Sequence, residues 1–430
     1  MQIHVVQQGD TIETIAATYG ISEELLLRDN DISFDTKLVI GQCLVVAIPL
    51  ETYVVQINDT LEKIAEAHNI TVMDLLRNNP ILAEREYIYP GETLILRYDN
   101  AAGKMTIHGN VFPFVDPIVL RKTLPYLTYL SVINYTATNQ GEIISYFDDT
   151  ALIEEIKAYG VMPLMLLTTL TLQGNANIRV AYDLLLNEEF QRKQINNILN
   201  ILRTKGYYGI NISFQYISVS TLKAYEEYLS KLFTTLDQAG FFVFVTISPE
   251  VNFLDSQVEI EPVNYSIINQ LAHNIIFMSY EWATNVNPPS PIISITNIRL
   301  FIDYINTIIP PDKVIIGIPT VGYDWQLPFV AGVSEVRLLT IPNAIELARN
   351  VDTVIQFDDV SQTPYYIYYD VRNNISLQHI VWFVDARSIN ELLNLAVENG
   401  LLGSGIWNIM NYNAQLWLLI NSQYEIVKII

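Results

Sequence analysis

Hydrophobic and polar positions repeat along the first hundred residues. Residues 4–30 laid over residues 53–79, a shift of 49, match at thirteen of 27 positions, among them Val5/Val54, Val6/Val55, Asp10/Asp59, Ile15/Ile64, Leu26/Leu75 and Asn30/Asn79. Each copy reads as a short strand, an Asp-Thr pair that can cap a helix, an amphipathic helix with Ile15 and Ala16 turned inward, and a second helix over 22–28 with Ser22 as its N-cap. A closing strand follows Gly41-Gln42 in one copy and Gly91-Glu92 in the other. The predicted unit is βααβ, at residues 1–49 and 50–98, and residues 99–103 break the pattern as a linker.

From 104 to 430 the pattern changes. Short continuous runs of apolar, β-branched residues alternate with helical stretches, at 105–111, 129–135, 162–168, 209–217, 241–247, 275–280, 314–319 and 405–409. Runs without polar alternation are strands buried on both faces, and eight of them with intervening helices predict an α/β protein built on a (β/α)8 TIM barrel. Residues 326–381, rich in Tyr and Asp, are too long for a plain connection and predict a small α+β insertion. The fourth run departs from the others. Its positions 211, 213 and 215 share one strand face and are Asn, Ser and Gln, while Ile210, Ile212 and Phe214 face the other way. Polar residues ending a barrel strand mark the active-site face.

Composition narrows the partners. Lys plus Arg is 24 and Asp plus Glu 46, a net charge of −22, which is the wrong sign for nucleic-acid phosphates or anionic lipid. No apolar run reaches the roughly 18 residues of a membrane span. The N-terminus has no basic stretch followed by an apolar one, so no signal peptide and synthesis in the cytoplasm are expected. One cysteine, Cys43, and five scattered His give neither a disulfide framework nor a metal-ligand spacing, so no metal or cofactor is expected. Only 16% of residues are charged, against about 25% in an ordinary soluble domain, and there are 26 Tyr. A surface so poor in charge predicts association, as a homo-oligomer or an ordered assembly.

The repeated unit resembles the LysM family. The first copy carries Val6-Gln7-Gln8-Gly9-Asp10-Thr11-Ile12, Ile15-Ala16, Tyr19, Leu26, Asn30 and Gly41-Gln42. In the second copy Asn58 replaces the turn Gly, a modest change because Asn tolerates a left-handed backbone. The resemblance implies binding of N-acetylglucosamine-containing glycans, peptidoglycan or chitin, at Gly9, Asp10, Thr11, Ile12 and Asn30 in the first copy and Asn58, Asp59, Thr60, Leu61 and Asn79 in the second. The plainer reading gives the Asp and Thr side chains a helix-capping role alone, because the family's sugar contacts come largely from backbone.

Residues 104–420 resemble the family-18 glycoside hydrolases, and among them the spore cortex-lytic N-acetylglucosaminidases of endospore-forming bacteria. The motifs are the fourth strand, Phe277-Met278-Ser279-Tyr280-Glu281-Trp282, Gly317-Ile318-Pro319, Gly322-Tyr323-Asp324-Trp325-Gln326-Leu327-Pro328 and Trp382-Phe383-Val384-Asp385-Ala386-Arg387-Ser388. In that family the substrate's acetamide attacks its own anomeric carbon, a Glu protonates the leaving oxygen, and an Asp two residues earlier orients the acetamide. The strand reads Asp-Gly-x-Asn/Asp-x-Asp-x-Glu. Here Tyr208 stands at the first Asp, Asn211 is retained, Ser213 replaces the orienting Asp and Gln215 replaces the acid. A neutral amide has no proton of usable acidity, and loss of a general acid alone costs about 10²–10⁴-fold. Substrate-binding groups implied by the resemblance are Asn211, Gln215, Tyr280, Trp282 and Trp407. Glu250, in Ser248-Pro249-Glu250, is the candidate for a relocated acid.

These residues lead to a catalytically degenerate, glycan-binding structural protein of the bacterial spore envelope. It would be made in the mother-cell cytoplasm and placed on the coat, cortex surface or exosporium beside other spore-layer proteins. The alternative is an active cortex N-acetylglucosaminidase or chitinase-like hydrolase with an unorthodox acid. Tyr280 as a barrel-layer residue, Trp407 as a core aromatic, and Ser213 with Gln215 as a satisfied network in an empty site remain open.

Overall fold

The computed structural model describes residues 1–85, 87–99, 102–171, 174, 178–214, 221–249, 251–254, 257–260, 264–278, 286–372 and 375–429. All eight apolar runs become barrel strands. They are Lys104–Val111, Tyr129–Ala137, Met162–Thr168, Gly209–Ser213, Phe242–Ile247, Asn274–Phe277, Val314–Pro319 and Gly403–Trp407. Each pairs in parallel with the next, and the eighth returns to the first through Gly403↔Thr106 to Ile406↔Gly109, which closes the sheet. Alternate side chains divide between two cores. Leu164, Phe244, Ile276 and Ile315 belong to one buried cluster, and Ile210, Ile212 and Phe214 to the larger one shared with the helices. Phe214 stacks 5.8 Å from Tyr228 on the helix Leu222–Gln238, so the predicted alternation of the fourth strand holds through 214.

The insertion is a five-stranded antiparallel sheet that starts at Val321, slightly before the predicted boundary. Its strands lie in the order Val336–Thr340, Val321–Leu327, Ile375–Phe383, Thr363–Arg372, Gln356–Asp358. The helix Ile341–Asn350 joins it through Tyr366, whose hydroxyl donates to the Ala344 carbonyl at 2.7 Å.

Each N-terminal repeat pairs two strands antiparallel and adds two helices. The first uses Gln2–Val5, Ile12–Tyr19, Glu23–Asp29 and Cys43–Val46; the second uses Glu51–Val54, Leu61–Ala67, Val72–Asn78 and Thr93–Arg97. The closing strand of the first repeat is buried on both sides. Leu44 and Val46 face the repeat's own small core, while Cys43 and Val45 join the barrel's. In the second repeat Leu94 and Leu96 turn to the repeat and Ile95 to the barrel.

Polar side chains secure this docking. Gln415, on the last barrel helix Ala414–Asn421, donates to Asn30 Oδ1 at 3.0 Å and to the Cys43 carbonyl at 2.8 Å. Six residues on, Asn421 donates to Asn78 Oδ1 at 2.7 Å and accepts from Arg77 Nε at 3.0 Å. Gly41 comes so close to the insertion that a Cβ there would sit 1.9 Å from the Ile355 carbonyl oxygen. The expected linker is pinned as well, since Ala102 N–H donates to the Gln423 carbonyl and Gly103 accepts from Glu425 N–H. The described part of residues 99–103 is therefore no loose tether.

Candidate active site

A cavity of about 390 Å³ opens where the barrel strands end in the C-terminal direction. Its wall takes Ile133 to Thr136 from the second strand, Leu166 and Thr168 from the third, Ser213 from the fourth, Thr246 from the fifth and Trp407 from the eighth. Phe112, Tyr146, Ser248 and Met278 continue it beyond the strand ends. This is the end on which barrel proteins carry their sites. The Tyr146 hydroxyl lies 3.1 Å from Thr136 Oγ1, which itself donates to the Leu170 carbonyl at 2.7 Å, so the tyrosine donates to the threonine. Trp407 is half-buried, and its carbonyl accepts from Thr320 N–H and Oγ1 at 3.1 and 3.0 Å. At the mouth Phe112 stacks on Phe114 with ring centres 5.3 Å apart, and Phe114 meets Phe147 at 5.5 Å. Phe114 is exposed, so these rings extend an apolar surface outward from the cavity.

Under the wall runs a chain of buried hydrogen bonds. Thr246 Oγ1 donates to Asn211 Oδ1 at 2.8 Å, Asn211 Nδ2 donates to Ser131 Oγ at 3.1 Å, and Ser131 Oγ lies 2.8 Å from His108 Nε2. Burial pushes the His108 ring down to about 3, so it is neutral at pH 7. Asn211 was expected to touch sugar. It is instead completely buried beneath the cavity, with its amide committed to Ser131 and Thr246.

Among the described lining residues there is no carboxylate. Asp149 lies behind two of them, where its Oδ2 accepts from Asn134 Nδ2 at 3.1 Å and from the hydroxyls of Tyr135 and Tyr207. Burial works to raise its pKa, but those hydrogen bonds and Lys205 at 3.2 Å together hold it below the usual carboxylate range. An ionised, fully engaged group of this kind is no proton donor. Of the expected site residues, the structure brings Ser213 and Trp407 onto one cavity. Gln215, Glu250, Tyr280 and Trp282 lie outside the described residues.

The N-terminal repeats build their first loops alike. Gly9 and Asn58 both take left-handed backbone, at φ 93° and 70°, which explains why Asn can stand for Gly there. Asp10 accepts from Gln7 N–H at 2.7 Å and from His4 at 3.0 Å, and Asp59 from Gln56 N–H at 2.7 Å and the Tyr53 hydroxyl at 2.8 Å. These bonds hold both carboxyls below the usual range. Thr11 and Thr60 cap the helices that begin at Ile12 and Leu61. Asn30 and Asn79 take a different part. Each is buried, donates to two carbonyls and accepts one backbone N–H, so the repeated asparagine braces helix against strand and presents no side chain to a ligand.

Sequence reasoning missed a second cleft, of about 220 Å³, between the two repeats and the barrel. Arg28 and Asp29 line it from the first repeat, Arg77 and Asn78 from the second, and Tyr126 and Asn421 from the barrel. Arg28 and Arg77 are identical positions of the repeat, but a basic residue in the last turn of a helix is ordinary, so the sequence carries no distinct signal of the cleft.

The chain matches "Glycosyl hydrolases family 18" over residues 166–411 and "LysM domain" over residues 4–47 and 53–97. A cortical fragment-lytic enzyme of Bacillus subtilis (strain 168) is 31% identical, covering 100% of this chain and 99% of its own. A putative sporulation-specific glycosylase of the same organism is 28% identical over 97% of this chain and 98% of its own. The crystal structure of the Bacillus cereus spore cortex-lytic enzyme SleL superposes with a TM-score of 0.79 at 26% identity, over 99% of this chain and 98% of that one.

Proposed function

This chain belongs to the glycosyl hydrolases of family 18, and from that membership we propose that it binds glycans of the bacterial spore envelope without cleaving them. One observation carries the reading. Ser213, which the motif resemblance sets at the family's acetamide-orienting Asp, lines a cavity whose described wall holds no carboxylate. Gln215, at the position of the family's acid, agrees with it. The two LysM domains supply the second hold on an N-acetylglucosamine polymer, peptidoglycan first, since the relatives carry the names cortical fragment-lytic and spore cortex-lytic enzyme. Those names also support a place on the spore. Tyr369, Val371 and Leu338, exposed on the insertion sheet, support association with further copies or with other spore-layer proteins.

A second reading keeps the activity. Relatives similar over the whole chain are named as lytic enzymes, and Glu250 offers a relocated acid. One experiment separates the two. Purified protein is incubated with cortex muropeptides and with chitin oligomers, and retention and cleavage are measured independently. Retention without cleavage is the expected result; cleavage abolished by Glu250→Gln favours the enzyme.

A further inference from the structure

The described part of the cavity wall is uncharged. None of its sixteen described lining residues is Asp, Glu, Lys, Arg or His. What it offers instead is hydroxyls from Tyr146, Thr168, Ser213 and Thr246, and the ring of Trp407.

Among the described residues no Lys or Arg lines the cavity, and the first in the chain after the third and fourth strand ends are Arg179 and Lys223, on the helices that follow. Between Lys231 and Arg299 there is no Lys or Arg, while Glu250, Asp255, Glu259, Glu261 and Glu281 fall in the connections after the fifth and sixth strands. The stretches 112–116, 138–149, 169–177, 214–221 and 408–413, which leave the first, second, third, fourth and eighth strands, hold no Lys or Arg either. Lys193 pairs with Glu142, Lys205 with Asp148 at 2.7 Å, and Lys223 with Glu227 at 4.0 Å. On the insertion, Arg337 pairs with Glu335 at 3.0 Å.

We infer that this cavity discriminates glycans by charge, accepting an uncharged N-acetylhexosamine saccharide and rejecting one that carries a free carboxylate on the ring it encloses. The inference rests on the glycan-binding reading of the site and narrows its substrate. An ionised carboxylate entering the cavity gives up its water and meets no cation in return, an unfavourable exchange even where hydroxyls accept it. Acetamide and hydroxyl groups lose nothing comparable, because neutral donors and acceptors on the wall replace water and the aromatic faces cover the ring's apolar side. The chain's net charge of −22 adds a longer-range repulsion of anions, which salt screens.

The test uses the full chain and two saccharides of equal length, an N-acetylglucosamine tetramer and an N-acetylmuramic acid tetramer in which every ring bears a free lactyl carboxylate. Isothermal titration measures both. The cavity's share of binding is the part lost in Ser213→Trp, which fills the space and leaves the LysM domains unaltered; Trp407→Ala serves the same purpose should that variant fail to fold. Expected is a cavity-dependent affinity at least about tenfold higher for the neutral tetramer, equivalent to about 1.4 kcal/mol. The ratio should narrow with salt, on methyl esterification of the lactyl groups, and in Ser248→Lys. Equal cavity-dependent binding of both tetramers overturns the charge discrimination and leaves the glycan site standing. Absence of any cavity-dependent binding of the neutral tetramer overturns the glycan site itself, and the discrimination with it.

Discussion

Replacing Asp29 by Asn should stabilise the protein at neutral pH and leave it unchanged in acid. Asp29 ends the second helix of the first LysM domain, lines the cleft against the barrel, and has a side chain only 9% exposed. Arg28 donates to its Oδ1 from Nε and Nη2, both at 3.2 Å, yet burial outweighs that pairing and pushes the carboxyl up from 3.8 to about 6. Between those values the folded chain holds a proton that the unfolded chain has released. The group's contribution is therefore most favourable below 3.8, declines as the pH rises through 6, and is fully lost above it. A displacement of about two units at 1.36 kcal/mol each makes the loss about 3 kcal/mol. Asn has no charge to desolvate, and the second repeat already carries Asn78 at the equivalent place. Asp29→Asn should thus gain up to about 3 kcal/mol near pH 7. Urea unfolding followed by tryptophan fluorescence, for variant and parent at a series of pH values from about 3.5 to 7.5, isolates the effect, because every other titrating group cancels in the difference. A difference that stays flat across that range, or grows toward acid, refutes the reasoning.

Restoring both carboxylates, Ser213→Asp with Gln215→Glu, should produce measurable release of reducing ends from N-acetylglucosamine oligomers, whereas either change alone should not, since acid and acetamide-orienting charge act together. Trp407→Ala should weaken binding of a short neutral oligomer about tenfold in titration calorimetry while sparing retention through the LysM domains. Asn30→Ala removes bonds to Leu26, Val45 and Gln415 and should lower stability by about 3 kcal/mol, read as a shifted urea midpoint. Gly41→Ala should expose the first LysM domain to limited proteolysis, because its Cβ would strike the Ile355 carbonyl and its φ is 85°.

Much of the fold was legible because its signals are local. Eight apolar runs gave eight strands, and Thr11 and Ser22 cap the helices they precede. The site was legible in part. The period of two put Ser213 on the cavity side and Phe214 against the helices, but it could not say how deep each residue lies, and Asn211 proved to be one layer below the wall. Asn30 and Asn79 misled for a related reason. A residue repeated for its bonds to the backbone looks the same in sequence as one repeated for a ligand. The docking of the repeats was nearly hidden, since Gln415 and Asn421 contact residues more than 300 positions away, and their one trace is two polar side chains on an otherwise apolar helix.

That docking governs how the molecule can be taken apart. A bead on a string can be cut off without loss to either piece, but the strand Cys43–Val46 has no solvent face to expose harmlessly. Excising the first LysM domain would lay bare Val39, Cys43, Val45 and Ala47 on one fragment and, on the other, the barrel surface they cover, and would strip Gln415 of both its acceptors. Each fragment would lose apolar burial at roughly 25 cal/mol per Å². Truncation series that treat the glycan-binding domains as detachable parts would then compare damaged surfaces with an intact protein. Point substitutions on the outward loops, at Gly9 to Ile12 and Asn58 to Leu61, keep the seam closed and so measure each domain's share of the work without breaking the whole.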